Sequence, residues 1–331
     1  MIPTLHVTHK TLHSLILTFK NMRPYRYAYL VISFLLLIQV SLVHAQDFSQ
    51  GPISEKLFEA MKDGNTFHED SPVPKERLRL LKVQYVDFSD NTQTGQLVVL
   101  DACADQVLEI FKALYKRRFP IGNMNLMHHY HGEDDQAMAD NNTSCHNCRS
   151  IKGKDRFSLH AYGTAIDINP VQNPCAYINE EAGVATYEPT SGIEYANRCL
   201  KRPGKAYRKG LAEEVVDVFA KYGFYWWGGY WDDKLDYQHF HLSRSMTELY
   251  VVMDPLVAKA TFLKATCYYN KQRTPLEPVL LQELAKVFPQ ECSLAECYQQ
   301  DPMLFNQVLE NLVRSPEYTL IQHTWTSTDA R

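Results

Sequence analysis

The hydrophobic pattern of this chain changes its period along the sequence, and that change limits the possible fold more than any other feature. Residues 81–88 alternate apolar and polar side chains, which predicts a half-buried strand, and a turn separates them from a second predicted strand at 95–100. Asp101 can cap a helix that runs to about Lys116. We therefore predict a compact α+β domain, in which an antiparallel sheet carries helices on its outer side and a helical tail follows.

The same patterns predict further elements along the rest of the chain. The predicted strands are 119–127, 163–168, 224–227 and 239–242, and the predicted helices are 208–222, 248–264, 276–288 and 301–313. We divide the chain into an amino-terminal segment at 1–45, an irregular lead-in at 46–79, a main domain at 80–245 and a helical C-terminal extension at 246–331. Nothing in the extension indicates chemistry.

The composition is that of a globular protein without a basic surface. Apolar residues make up 45% and charged residues 22% of the 331 positions, so a sizeable core can be buried and disorder is not expected. The formal net charge is -4 and the pI is about 6.4. Nucleic-acid-binding domains normally carry a basic patch or a high pI, so we expect no nucleic-acid partner.

The first 45 residues have the organisation of an export signal. They contain basic residues but no Asp or Glu, an apolar stretch runs from Ala28 to about Val43, and Ala45 ends a small-residue cleavage pattern. We predict a cleaved signal and a periplasmic or secreted protein. An uncleaved anchor on the outer face of the inner membrane and a buried core helix are the alternatives, and Met22 is a second possible start.

The chain has eight cysteines, all after the predicted cleavage point. An even number in an exported chain permits disulfides, although the pairing cannot be derived from sequence. Cys145 and Cys148 have the spacing of half a zinc ribbon, but no second pair follows at ribbon spacing. We expect disulfides or buried thiols.

Two short segments contain residues suited to a metal site. His160 and Asp167 lie seven positions apart with Gly163 between them, and a glycine permits the tight turn that would let the two side chains converge. Asp236 and His239 form a second pair, separated by two residues. Two histidines and one carboxylate leave the fourth position of a zinc ion open for water, as in catalytic sites. By spacing alone, ordinary packed histidines remain an alternative.

These segments resemble the zinc DD/LD-peptidases, which include D-alanyl-D-alanine carboxypeptidases, vancomycin-resistance dipeptidases and L-alanyl-D-glutamate endolysins. The family signature S-x-H-x-x-G-x-A-x-D is complete from Ser158 to Asp167, and its acid-x-x-His follows at Asp236 to His239. The resemblance is closest to the endolysin-like branch with W-G-G-x-W and D-x-x-H-F, and it covers about residues 80–243. The segments that match this branch are 227–231, 236–240, 140–144, 147–149 and 119–121.

The resemblance implies a function and a role for each site residue. The fold would be that of the DD-peptidases, which is Hedgehog-like, with residues 80–245 as the zinc peptidase domain. His160, Asp167 and His239 would bind Zn²⁺. Asp236 would be the general base, and Arg149 would stabilise the oxyanion, with Arg156 as its competitor and a surface or substrate-carboxylate role as the alternative.

The implied substrate is a peptide bond in the peptidoglycan stem, so the expected partner is that stem peptide. The two candidate activities are L-alanyl-D-glutamate endopeptidase and D-alanyl-D-alanine carboxypeptidase, and the endolysin-like motif favours the first. A cell-wall-binding module that keeps the metal site without catalysis is an alternative from another class. An exported amidase is a second alternative.

Other residues near these motifs allow two interpretations. Ser158 can contact the site or cap its turn, and His241 can face the site beside His239 or be an ordinary buried histidine. Asp134 and Asp135 predict a solvated acidic loop. Four aromatic residues could form core or line a groove for glycan or stem peptide: Trp226, Trp227, Tyr230 and Trp231.

Overall fold

Short antiparallel strands form the interior of the protein, and the longer helices pack outside them. The computed structural model describes residues 48–232, 234–288 and 290–314. The predicted export signal at 1–45 lies outside the described residues. None of the described helices is both long and apolar enough to cross a membrane.

The first sheet is built from the alternating segments of the sequence. Its strands are β1 (Ser49–Pro52), β2 (Leu78–Val86) and β3 (Thr92–Leu100), all antiparallel and in that order. Leu78 lies opposite Leu100 and Val86 opposite Thr92, so β2 and β3 form a hairpin over their whole length. Their apolar positions are buried beneath the helix that follows β3.

Two further sheets position the candidate site. One contains β4 (Ala165–Asp167), β9 (His239–His241) and β7 (Trp226–Trp227), with β9 in the middle. The other contains β5 (Cys175–Asn179), β6 (Val184–Glu188) and β8 (Lys234–Asp236), with β5 in the middle. All of these pairings are antiparallel.

Helices surround the sheets and form the C-terminal part of the described chain. Helix α2 packs on β2, α6 packs against the turn that follows β3, and α8 packs against α5. Residues Phe48–Leu312 form one compact unit. The helices are α1 (Glu55–Asp63), α2 (Ala104–Lys116), α3 (Asp134–Ala139), α4 (Val216–Lys221), α5 (Arg244–Val252), α6 (Pro255–Gln272), α7 (Leu276–Leu284), α8 (Leu294–Gln300) and α9 (Pro302–Val313).

The predicted α+β class and the helical tail are confirmed, but the predicted single sheet is divided into three small ones. The prediction of an irregular lead-in was wrong, because residues 46–79 contain β1 and α1. The prediction of a strand at 119–127 was also wrong. That segment makes only isolated bridges at Pro120 and Asn123, and proline has no N–H to continue a ladder.

The predicted helix at 208–222 is shorter than expected. Gly210 has φ +81°, outside the right-handed helical region, and a 3₁₀ turn at Ala212–Glu214 precedes α4. Among the described cysteines, Cys292 and Cys297 form a disulfide and the other six are free.

Candidate metal centre

His160 lies in a short helical turn that ends at a glycine. The Ser158 hydroxyl accepts a hydrogen bond from the His160 amide at 3.3 Å, so Ser158 caps the 3₁₀ turn Leu159–Tyr162. Gly163 ends the turn at φ +67°, in the left-handed region that favours glycine. Its carbonyl accepts a hydrogen bond of 3.0 Å from the Leu100 amide, which anchors the turn on β3.

The pairing of β4 with β9 places Asp167 opposite His239. The Oδ1 atom of Asp167 lies 2.9 Å from His239 Nδ1, and its Oδ2 atom lies 3.2 Å from His160 Nε2. The two imidazole nitrogens lie 3.2 Å apart. Among the described residues, no other group of three His, Cys, Asp or Glu side chains converges in this way.

The chemistry of these three side chains fits a zinc ion. The Nδ1 atom of His160 lies 2.6 Å from the Cys145 carbonyl oxygen, which can only accept, so Nδ1 carries the proton and Nε2 keeps its lone pair. Zinc bonds to nitrogen and oxygen of about 2.0–2.2 Å in a tetrahedron separate the ligand atoms by about 3.3–3.6 Å. The observed separations of 2.9 to 3.2 Å are slightly shorter, so small outward movements of the side chains would admit the ion.

Electrostatic interactions within the cluster keep Asp167 ionised. Burial disfavours the charged carboxylate, but the imidazoles of His160 and His239 hold its pKa well below the usual range. Burial also lowers the pKa of His160, yet Asp167 outweighs this effect and leaves that pKa above its ordinary value. The cluster therefore stabilises positive charge at its centre, which is what a metal-binding group requires.

Arg149 contacts the segment that leads into the His160 turn, because its carbonyl accepts a hydrogen bond of 2.9 Å from the Ser158 amide. Arg149 is partly exposed and its Nε forms an ion pair with the Asp134 carboxylate. The charge of Arg149 lowers the pKa of His160 and that of Asp134 raises it. Arg156 is exposed, in the loop that precedes Ser158.

Asp236 is a buried carboxylate at the end of β8, opposite Cys175 of β5. Its Oδ2 atom lies 3.3 Å from the Lys234 ammonium. Its Oδ1 atom is buried and makes no hydrogen bond to any described residue. A buried acceptor without a partner usually has a water, ion or ligand to bind, so Oδ1 is available for such a contact.

A comparison with known protein families matches the part of the chain that contains the cluster. Residues 152–242 match a family model described as D-alanyl-D-alanine carboxypeptidase. The matching segment is similar to the zinc DD-peptidase family. All three metal-binding candidates and Asp236 lie within it, whereas Arg149 lies just before it. No curated protein and no solved structure matches the chain.

Aromatic residues lie around the His239 side of the cluster. The ring of Trp231 lies 5.7 Å from that of His239 and 5.8 Å from that of His241. Trp226 stacks on His241 and is 39% exposed, while Trp227 is buried. Trp227 is therefore part of the core, and the groove stays a prediction.

His241 lies on the same face of β9 as His239, with the two rings 5.0 Å apart. Burial lowers the pKa of His241 to about 3, so its ring is neutral. Its Nδ1 atom lies 2.7 Å from the Leu242 carbonyl oxygen. The structure therefore places His241 beside the metal-binding group but outside the converging triad.

Sequence reasoning missed two residues near the centre. The prediction that Asp134 lies in a solvated loop was wrong, because Asp134 begins helix α3 and contacts Arg149 and Asn147. Asn147 also joins the main chain of the site, donating from its backbone N–H to the His160 carbonyl at 3.2 Å. The one available signal was the Asn147-Cys148-Arg149 segment of the endolysin-like motif, which does not indicate a partner for Arg149.

Proposed function

We propose that this protein is a zinc-dependent peptidase that hydrolyses a peptide bond in the peptidoglycan stem. The observation that carries the proposal is the convergence of His160, Asp167 and His239 within the segment that matches the D-alanyl-D-alanine carboxypeptidase family model. Two histidines and one carboxylate are the ligand set of many catalytic zinc sites, and they leave a position open for water or substrate.

The proposed mechanism gives separate tasks to the metal and to Asp236. His160, Asp167 and His239 would hold a zinc ion, which would supply Lewis acidity to the scissile carbonyl and to a water molecule. Asp236 accepts the proton of the attacking water at Oδ1, the oxygen that has no hydrogen-bond partner among the described residues. The same carboxyl then delivers a proton to the leaving amine.

Arg149 is proposed to stabilise the negative charge that develops on the carbonyl oxygen. A guanidinium is charged at all relevant pH values and presents several N–H donors in a fixed plane. Donors arranged before the reaction stabilise an oxyanion most effectively, because they do not need to reorient during the step. The hydrogen bond from the Ser158 amide to the Arg149 carbonyl and the partial burial of Arg149 support this role over one for the exposed Arg156.

Two bonds of the stem peptide are candidates. The segment 227–231 with the later Asp236-x-x-His239-Phe240 is similar to the endolysin-like branch and favours cleavage between L-alanine and D-glutamate. The description of the matching family model instead names D-alanyl-D-alanine carboxypeptidase. We propose the L-alanyl-D-glutamate bond first and the terminal D-alanine bond second.

The proposed location is outside the cytoplasm, where peptidoglycan lies. The basic and apolar amino-terminal segment supports export, either with cleavage near Ala45 or as an anchor. The Cys292–Cys297 disulfide supports an oxidising compartment.

The test is digestion of purified peptidoglycan by the zinc-loaded protein, with mass spectrometry of the released fragments. We expect loss of a terminal alanine or cleavage after L-alanine. Asp236→Asn should lower kcat by about 10²–10⁴-fold, because that is the usual contribution of general acid–base catalysis. Asp232→Asn is the matched control, since Asp232 is an exposed acid of the same segment.

The outcome decides between an enzyme and a binding module. Zinc-loaded, folded protein that releases no fragment would exclude the peptidase and leave binding to the cell wall as the function to measure. Equal activity of Asp236→Asn and the wild type would exclude Asp236 as the general base while leaving the peptidase in place.

A further inference from the structure

We propose that Asp134 is a positioning residue that holds the guanidinium of Arg149 beside the metal centre. The inference rests on the proposed function, because it concerns the residue to which that function assigns oxyanion stabilisation. Asp134 lies outside the family signature, and it precedes Arg149 by 15 positions in the chain.

The first observation is the direct contact between the two side chains. The Oδ2 atom of Asp134 pairs with Nε of Arg149, and the two side chains are 31% and 36% exposed, respectively. Among the described residues, the guanidinium makes one hydrogen bond, a long one of 3.5 Å from Nη1 to the Ser150 carbonyl, whereas the buried Nε contacts Asp134 as an ion pair without hydrogen-bond geometry. The charge of Asp134 therefore holds the guanidinium by ion pairing and leaves its N–H groups available to a substrate oxygen.

The second observation is that Asp134 is itself held in place. The side-chain amide of Asn147 donates to Asp134 Oδ1 at 2.8 Å and to the Gly132 carbonyl at 3.0 Å. The backbone N–H of Asn147 donates to the His160 carbonyl at 3.2 Å. Both oxygens of Asp134 are thus engaged, one by Arg149 and one by a residue bonded to the main chain of a metal ligand.

The third observation is electrostatic. Burial raises the pKa of Asp134 above its ordinary value, and Arg149 and then His160 offset part of that rise. A partly buried carboxylate is costly unless a cation compensates it, and Arg149 is the ion-pair partner of Asp134. The charge of Asp134 is therefore matched to Arg149 rather than to solvent, in contrast to its exposed neighbour Asp135.

The expected consequence is a loss in turnover rather than in substrate binding. A long arginine side chain has many rotamers, and an unheld guanidinium must be ordered during the reaction. An interaction that acts mainly in the transition state changes kcat more than KM. We expect Asp134→Asn to lower kcat by about 10–100-fold with KM within about threefold, since removing one oxyanion donor costs about 10²–10³-fold.

The test is a double-mutant cycle in the zinc-loaded full chain, with peptidoglycan as substrate. The variants are Asp134→Asn, Arg149→Ala and the double variant, with Asp135→Asn as the matched control. If Asp134 acts through Arg149, Asp134→Asn causes no further loss of kcat in the Arg149→Ala background. A loss of equal size in both backgrounds would overturn the inference, as would unchanged kcat in the single variant.

A second readout does not depend on activity. The Nε–Hε signal of Arg149 in ¹H–¹⁵N spectra, assigned with Arg149→Lys, reports whether the guanidinium is held. We expect solvent exchange of Hε to be at least about tenfold faster in Asp134→Asn than in the wild type, because the guanidinium loses the anionic partner that holds its buried Nε in place. Equal exchange rates in the two proteins would overturn the inference.

Failure of the proposed function and failure of this inference about Asp134 give different results. Wild-type protein that cleaves nothing ends the proposed function, and the Hε measurement alone then decides whether Asp134 holds Arg149. Asp134→Glu is the second variant if Asp134→Asn does not fold: it keeps the charge but displaces it by one methylene, and we expect an intermediate exchange rate. An exchange rate equal to that of the wild type in Asp134→Glu would contradict the required position of the carboxylate.

Discussion

A single hydrogen bond decides which atom of His160 is available to a metal. The Cys145 carbonyl fixes the proton on Nδ1, so the lone pair of Nε2 faces Asp167 and His239. Sequence could name His160 as a ligand through the family signature, but it could not name the atom or the carbonyl that selects it. Partners of this kind typically change metal affinity by about 10–100-fold.

Loss of a ligand should remove zinc binding. We expect His160→Ala, Asp167→Ala and His239→Ala each to weaken zinc affinity by more than about 100-fold, because a ligand contributes more than the groups that orient it. Zinc per chain after dialysis, measured by mass spectrometry, checks this result. The control is His129→Ala, an exposed histidine outside the cluster, and unchanged zinc content in all three ligand variants would contradict the assignment.

The contacts of Asp134 could not be predicted from the sequence. Its neighbourhood in the chain, with Glu133 and Asp135, resembles a solvated acidic loop. Its function depends on Arg149 and Asn147, which reach it only in the folded chain.

At the scale of elements, the Leu159–Tyr162 turn links local chain geometry to the site. Gly163 combines a positive φ with a close approach to β3, because a Cβ at this position would lie 2.8 Å from the Leu100 nitrogen. The sequence predicted a tight turn at this glycine, and the turn is present. It did not indicate that another strand lies against it.

Substitution of Gly163 by alanine should therefore destabilise the protein more than the same substitution at a glycine that has a similar positive φ but no atoms close to an added Cβ. Gly153 is the matched control, with φ +76° and no atom within 4 Å of an added Cβ. We expect Gly153→Ala to cost about 1–2 kcal/mol from the left-handed conformation. Gly163→Ala should cost more and also weaken zinc binding, as measured by urea unfolding and zinc titration, and equal losses would exclude an effect of the Leu100 contact.

At the scale of the whole molecule, a buried ion pair joins the first sheet to the C-terminal helices. Arg77 and Asp101 form a bidentate pair with side chains 9% and 6% exposed. The same guanidinium donates to the carbonyls of Tyr250, Val251 and Met253 at the end of α5. The helical extension is thus fixed to the strands by one residue of the predicted lead-in.

Removal of this arginine should be strongly destabilising. We expect Arg77→Met to lower the free energy of unfolding by about 3–5 kcal/mol, because it leaves the buried Asp101 charge with only the distant Arg79, 4.0 Å away, as a cation. The control is Lys112→Met, whose partner Glu109 lies on the surface and for which we expect a loss below about 1 kcal/mol. Urea denaturation measures both, and similar losses would show that the buried pair does not hold the two parts together.

The sequence by itself determined the α+β class, the β2–β3 hairpin, the helical tail and the identity of the convergent residues His160, Asp167 and His239. These follow from hydrophobic period and from two short signature segments, at 158–167 and 236–239, which are local properties of the chain. Tertiary structure alone decided the division into three sheets, the attachment of α5 through Arg77 and the placement of Asp134 against Arg149. Those features depend on groups that lie far apart in sequence, and their pairing is fixed by burial and charge compensation that exist only after the chain has folded.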